Sequence, residues 1–283
     1  MKNIIKMIGL LSLIGFSFFY TDKVIEVIRE EDNIMIELNS VKDLYKVKPI
    51  DATIVGNTII PGLNGREINI DKSYKEMKNI GLFNQNLIEY NTISPSVSLR
   101  TNNDKFIIHG QKNKQMVSII FILDSDKNLT EIEKILNSKE VVANYFVTYK
   151  YLMSYSTKIK EMPNREFYSY GNNGEYTPDT LLFSNNLISR ITNNNAIYCL
   201  APNMTKEILN ICSENNLYTI TPNIVGEKNP YKAIKDNLNS GSIILLSMNN
   251  ETAGELTTII DYIKGKGLKI VGLSTLLNEE LVQ

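Results

Sequence analysis

The sequence holds a single histidine, His109, and no tryptophan. One imidazole excludes, within one chain, every metal site or proton relay that needs two. Cysteine is also scarce. Cys199 and Cys212 are too few for a disulfide framework, and nothing around them would lower a thiol pKa. They are expected to be reduced core residues on a strand and the helix that follows it. A positive excess is missing too. Lys+Arg number 30 against 31 Asp+Glu, a net charge of −1, which argues against a nucleic-acid partner. Nor is the composition that of a disordered chain. With 43% hydrophobic and 22% charged residues, 283 residues suffice to bury the core of one large domain or two modest ones.

Only the amino terminus carries a long apolar run. Lys2 and Lys6 precede an uncharged stretch over residues 7–20 rich in Leu, Ile and Phe. Counted from Ile4, the run approaches the ~17–20 residues that a bilayer requires. No small-residue cleavage site follows, since Phe18, Phe19 and Tyr20 stand there. Residues 1–23 are therefore expected to form an uncleaved signal-anchor, with a cleaved signal peptide and a secreted product as the alternative. The basic flank would leave the rest of the chain outside the cell membrane.

Residues 24–112 read as a small β-rich domain and linker. Ile34, Ile36 and Leu38 alternate as in a short strand or stalk, Gly56-Asn57, Pro61-Gly62 and Asn64-Gly65 mark turns, and residues 73–80 suggest a short helix closed by Gly81. From Met116 onward strands and helices alternate. Residues 117–123 (VSIIFIL) and 242–246 (SIILL) are the near-continuous apolar runs of parallel strands covered on both faces. Residues 141–147, 196–200, 217–220 and 268–273 read as further strands. Asn128 with Glu131, and Thr252 with Glu255, have capping-box spacing, and Leu256, Ile259, Ile260 and Ile263 form one helical face. Such alternation implies an α/β fold with a parallel sheet or barrel, whose site lies at the carboxyl ends of the strands.

The end of the chain, LNSGSIILLSMNNETAGELTTIIDYIKGKGLKIVGLSTLL, resembles the closing strand–helix–strand of the polysaccharide deacetylase (NodB-homology) superfamily. Residues 117–126, 143–152 (ANYFVTYKYL) and 198–204 (YCLAPNM) resemble earlier strands of that family in the same order. The resemblance spans roughly residues 115–280. It implies a NodB-like distorted (β/α) barrel over residues 113–283, and a hydrolase of non-peptide C–N bonds that uses zinc or another divalent metal to deacetylate carbohydrate. Family members hold the metal with an Asp and two His, use a second Asp as base and a further His as general acid.

Carried across, the pattern is degenerate. Asp124 falls on the base position and Ser125 on the metal-ligand Asp position, with Asp126 beside it. Tyr170 and Gly174 fall on the histidine-pair positions, Leu200 on an arginine position and Ser247 on the general-acid position. His109 precedes the first of these strands and reads as a linker residue. No cofactor is expected. Asp124, Asp126 and Glu166 could form an all-oxygen site for Ca²⁺ or Mg²⁺, but scattered surface acids explain them better. Tyr168, Tyr170 and Tyr198 are expected near strand ends, where phenol rings suit stacking on sugar. The expectation is thus a membrane-anchored, catalytically inactive deacetylase-like module on bacterial cell-envelope polysaccharide or peptidoglycan. The alternatives are an active deacetylase with an altered metal site and a protein-interaction module.

Overall fold

The computed structural model describes residues 7, 11–18, 31–162, 164–192 and 195–281. Most of the expected signal-anchor lies outside the described residues. Residues 11–18 are helical, and no described helix is long and apolar enough to cross a membrane. In chain order the strands are β1 (Thr53–Val55), β2 (Thr58–Ile60), β3 (Gly65–Ile68), β4 (Tyr90–Ile93), β5 (Phe106–Ile107), β6 (Met116–Leu123), β7 (Ala143–Val147), β8 (Arg165–Ser169), β9 (Tyr198–Leu200), β10 (Tyr218–Ile220), β11 (Ile224–Gly226), β12 (Ile243–Leu246) and β13 (Lys269–Ile270). Two compact units emerge, residues 1–49 with 64–93, and residues 50–63 with 94–283.

The smaller unit pairs β3 and β4 antiparallel and carries the helices Asn33–Val41 and Ile70–Lys78. The first helix corrects the expected strand or stalk at Ile34, Ile36 and Leu38. Asp32 caps it by accepting from the Ile34 N–H at 2.9 Å, and Ile34 and Leu38, one turn apart, are buried while Ile36 is 53% exposed. A helical face, not a strand face, therefore supplies the core that contains Ile68, Met77 and Ile88.

The larger unit is an α/β arrangement of two sheets. One runs β11-β12-β6-β7-β8, all parallel, with β13 also parallel to the start of β6; the other runs β1-β2-β5-β10-β9, parallel except for the β1–β2 hairpin. The expected boundary between residues 112 and 113 is thereby moved. Phe106 pairs with both Thr58 and Thr219, so β1, β2 and β5 belong to the larger unit, where Ile59 and Ile107 are fully buried.

β6 and β12 are buried almost throughout, as their apolar runs require. The helix Asn250–Gly265 buries Leu256, Ile259, Ile260 and Ile263 completely, each worth about 1.5–3 kcal/mol relative to exposure. Neither expected capping box forms. Asn128 takes a left-handed φ of 56° and donates its side-chain amide to the Met248 carbonyl, whereas Asn249 caps the later helix and Glu255 accepts instead from the Tyr231 N–H.

Side chains alternate across β7 and β8, so two aromatic sets face opposite ways. Phe121, Tyr145 and Phe167 stack at 5.6 Å intervals on the face where the Tyr145 hydroxyl donates to Glu133 of the helix Leu129–Ser138. Phe146, Tyr168 and Tyr198 pack on the other face, with ring centroids 5.3 and 5.2 Å apart. β8 and β9 share no strand pairing, and the Tyr176 hydroxyl bridges them. It donates to the Ser169 carbonyl at 3.1 Å and accepts from the Leu200 N–H at 3.0 Å.

Cys199 on β9 and Cys212 on the helix Lys206–Glu214 are joined in a disulfide, which corrects the expectation of reduced thiols. The strand and the helix that packs on it bring the two α-carbons to 6.5 Å, within bridging distance. Both sulfurs belong to a small buried cluster with Leu181 and Leu217.

The final helix, Leu273–Leu277, is held at both ends. At its start Leu273 N–H donates to Asn144 Oδ1 at 2.8 Å and Ser274 N–H to Glu166 Oε2 at 3.0 Å. At its end the Lys114 ammonium donates to the Thr275 carbonyl at 3.1 Å and to the Asn278 carbonyl. Burial pushes the Lys114 ammonium down to about 8, partly opposed by Glu280 and Glu279.

Candidate functional site

A cleft of about 370 Å³ opens where β6, β8, β11 and β12 end. Its wall contains four positions singled out in the sequence, Asp124 and Ser125 after β6, Tyr170 after β8 and Ser247 after β12. Asp124 and Ser125 are exposed, and the Ser125 hydroxyl donates to Asp124 Oδ1 at 3.0 Å. Asp126 points to other partners. It accepts from the Tyr151 hydroxyl at 2.5 Å and pairs with Lys158 at 2.7 Å, and these bonds hold its carboxyl below the usual carboxylate range.

The loop after β8 explains why Gly174 stands at an expected ligand position. Gly174 N–H donates back to the Tyr170 carbonyl at 2.8 Å, and Gly174 takes φ +92°. A β-carbon there would lie 3.1 Å from the Tyr170 hydroxyl oxygen. The glycine lets the phenol ring of Tyr170 lie across its own loop, half-buried at the cleft, with its hydroxyl pKa raised by burial. Leu200, at the expected arginine position, is fully buried, and its backbone is engaged by Tyr176.

Two of the three expected stacking tyrosines are not in the cleft. Tyr168 is 0% and Tyr198 4% exposed, because both lie on the inner aromatic face described above. Glu166 is likewise removed from Asp124 and Asp126. Strand register places it opposite Asn144, itself opposite Ile120, four residues short of Asp124 and so about 13 Å lower at the strand rise of ~3.3 Å. There it accepts from the Tyr168 hydroxyl at 2.7 Å and clamps Ser274. An Asp124–Asp126–Glu166 cation site is not formed.

His109 is not an exposed linker residue either. It is 9% exposed, its Nδ1 donates to the Gly110 carbonyl at 2.8 Å, and burial lowers its pKa. Gly241, at φ +94°, packs so closely that a β-carbon would come within 2.4 Å of the ring. The imidazole lines a separate cleft of about 370 Å³ with Ile60, Lys112, Met204 and Asn223.

The cleft of β6 and β12 also presents Lys127, Asn173, Glu227, Met248 and Asn249. Sequence reasoning missed them. Glu227 follows β11, a three-residue strand too short to show a period, whereas Lys127 and Asn249 lie two residues beyond named positions. Among the described residues no group of three His, Cys, Asp or Glu side chains could hold a metal ion. The serine, tyrosine, glycine and serine at the ligand and acid positions do not fit a catalytic zinc, which is bound by His, Cys or carboxylate side chains. The lining instead offers hydroxyls, amides, two carboxylates, one ammonium and one phenol ring.

No family model matches the chain. YlxY, an uncharacterized protein of Bacillus subtilis strain 168, is 26% identical over 278 residues, covering 90% of this chain and 86% of YlxY. The structure of BA3943, a CE4 family pseudoenzyme from Bacillus anthracis, matches with a TM-score of 0.66 and 24% identity, over 89% of this chain and 97% of that one. A mutant of BA3943 described as having restored enzymatic activity matches equally well. The Bc1960 peptidoglycan N-acetylglucosamine deacetylase matches with a TM-score of 0.52 and 16% identity, over 62% of this chain and 94% of that one.

Proposed function

From the polysaccharide deacetylase (CE4) fold that this chain shares with those structures, we propose that it is a catalytically inactive deacetylase-like protein of the bacterial cell envelope that binds glycan in the β6–β12 cleft. Fold alone does not carry the function. One observation does. The cleft sits at the carboxyl ends of the parallel strands, as active sites of such folds do, yet its lining holds Asp124 without an imidazole, and among the described residues no three His, Cys, Asp or Glu side chains gather to hold a metal ion. A carboxylate base has no polarised carbonyl to serve there, and no acid stands ready to protonate a leaving amine. Stacking and hydrogen bonding to sugar need neither.

The extracytoplasmic setting is part of the proposal. The basic and apolar residues 1–23 support a single-pass anchor, and the Cys199–Cys212 bond suits an oxidising compartment. The test has two arms. Incubation of purified protein with chitooligosaccharide and peptidoglycan, with and without added Zn²⁺, should release no acetate. NMR titration with the same glycans should shift Tyr170 with an affinity in the high micromolar to millimolar range, roughly −4 to −6 kcal/mol. Metal-dependent acetate release would establish an active enzyme instead. Absence of shifts at millimolar glycan would favour a protein-interaction module. Fractionation with membranes, lost on deletion of residues 1–22, is the expected result for the anchor.

A further inference from the structure

The charges in the cleft narrow the kind of glycan it suits. Asp124 and Glu227 both line it, and among the described residues neither forms an ion pair and the one hydrogen bond to either side chain comes from the Ser125 hydroxyl. The adjacent acid, Asp126, is taken up by Lys158 and Tyr151. The described part of the fold therefore gives the carboxylate outside the cleft a cation and leaves the two inside it without one. Lys127 is the one cation of the lining, so the walls carry a net charge of −1.

A ligand entering such a cleft displaces water from both carboxylates and must offer them partners, or their desolvation opposes binding. An acetamido group offers one neutral N–H. An ammonium offers three charged donors that make charge-assisted hydrogen bonds with carboxylate. Resting on the reading of the cleft as a glycan site, we propose that its ligand is a de-N-acetylated hexosamine chain, whose ammonium groups are held by Asp124 and Glu227 while Tyr170 lies against a sugar ring.

The sequence of reactions follows from this chemistry. A free-amine glycan arises by hydrolysis of N-acetyl groups, so an active N-deacetylase must act on the polymer first. This protein would then bind that reaction's product, a role for which the absence of metal-binding and acid residues is no handicap.

The experiment is calorimetric titration of the full chain in detergent with glucosamine tetramer and with N-acetylglucosamine tetramer, at slightly acidic pH and at 50 and 500 mM NaCl. The expected result is that the amine form binds about three- to tenfold more tightly at low salt, and that salt screens most of the preference away. Asp124→Asn and Glu227→Gln should each weaken the amine form severalfold and the acetylated form much less, so that the preference falls. Tyr170→Ala should weaken both. Asp179→Asn, an exposed acid outside the cleft, serves as the control for a polycation binding any acidic surface and should change neither. Equal affinity for both glycans would overturn the amine assignment while leaving the glycan site standing. A preference that survives both cleft substitutions, or that Asp179→Asn abolishes, would also overturn it. Binding of neither glycan would overturn the glycan reading itself.

Discussion

The Cys199–Cys212 bond can be removed without touching the cleft. It closes a short loop, with a sequence separation of 13, between β9 and the helix Lys206–Glu214. In the chain-entropy account a loop of this size restricts the unfolded state by about 3 kcal/mol at 25 °C. For a domain of this size each kcal/mol moves the melting temperature by roughly 2–4 °C, so loss of the bond should lower it by about 6–12 °C. Both cysteines are 0% exposed, and reductant reaches them only through local opening, so reduction should be carried out in mild denaturant and the melting curve recorded after its removal. The double variant Cys199→Ala/Cys212→Ala should melt near the reduced wild type and be insensitive to reductant. Thiol titration of the unreduced protein in strong denaturant should find no reactive thiol. Two reactive thiols in protein exported from cells, or a melting temperature indifferent to reduction, would refute the reasoning and remove one support for the extracytoplasmic setting.

Tyr176→Phe removes the phenol that bridges β8 and β9 and strands the Leu200 N–H; urea unfolding should show a loss of about 1–3 kcal/mol. Arg165→Met should cost up to about 3 kcal/mol in the same assay, because it leaves the partly buried Glu133 beside Tyr145 without the guanidinium that now sits 2.9 Å away. The buried imidazole of His109 titrates below its ordinary value of about 6.5, so the unfolded chain takes up the proton first and stability falls as pH drops from about 6.5 through the lower folded pKa. Chemical denaturation across that window should show the slope in the wild type and a shallower one in His109→Gln, with Lys112 nearby in both; an unchanged slope would count against His109 as its source.

Elements that bury both faces were legible in the sequence. β6 and β12 are apolar runs with no polar alternation to mistake, and the i, i+3, i+4, i+7 pattern of Leu256, Ile259, Ile260 and Ile263 admits only a helix face. The helix Asn33–Val41 was misread because Ile34, Ile36 and Leu38 also satisfy a two-residue period, and the capping carboxylate of Asp32 was the better signal. β11 is only three residues long, too short for any period. In the site, Asp124, Ser125 and Ser247 lie just past legible strands, whereas β8 was not read from the sequence and Tyr170 was placed by the family resemblance alone. Tyr168 and Tyr170 look equivalent in sequence. The strand ends at Ser169, so Tyr168 stays inside on the aromatic face while Tyr170 turns out into the loop. Glycine supplied the other hidden constraint, since nothing in the sequence announces that Gly174 must yield to the Tyr170 ring.

Of the positions where a metal site would stand, only Tyr170 packs against the core. Asp124 and Ser125 are exposed beyond the end of β6, and Gly174 is a backbone turn, while the packing resides in β6, β12 and the helices that cover them. Side chains placed past strand ends can thus change with small effects on folding, because the walls of the cleft are the strand ends themselves. The same separation makes the remaining side chains informative. Among the described residues the Glu227 carboxylate makes no hydrogen bond or ion pair and the Asp124 carboxylate bonds only to Ser125, so Asp124→Asn and Glu227→Gln should change stability by no more than about 0.5 kcal/mol. A loss of glycan binding in variants whose unfolding is unaltered then reports on the ligand contact alone, and a cleft that binds glycan equally well without these carboxylates would owe that binding to Tyr170 and the neutral lining.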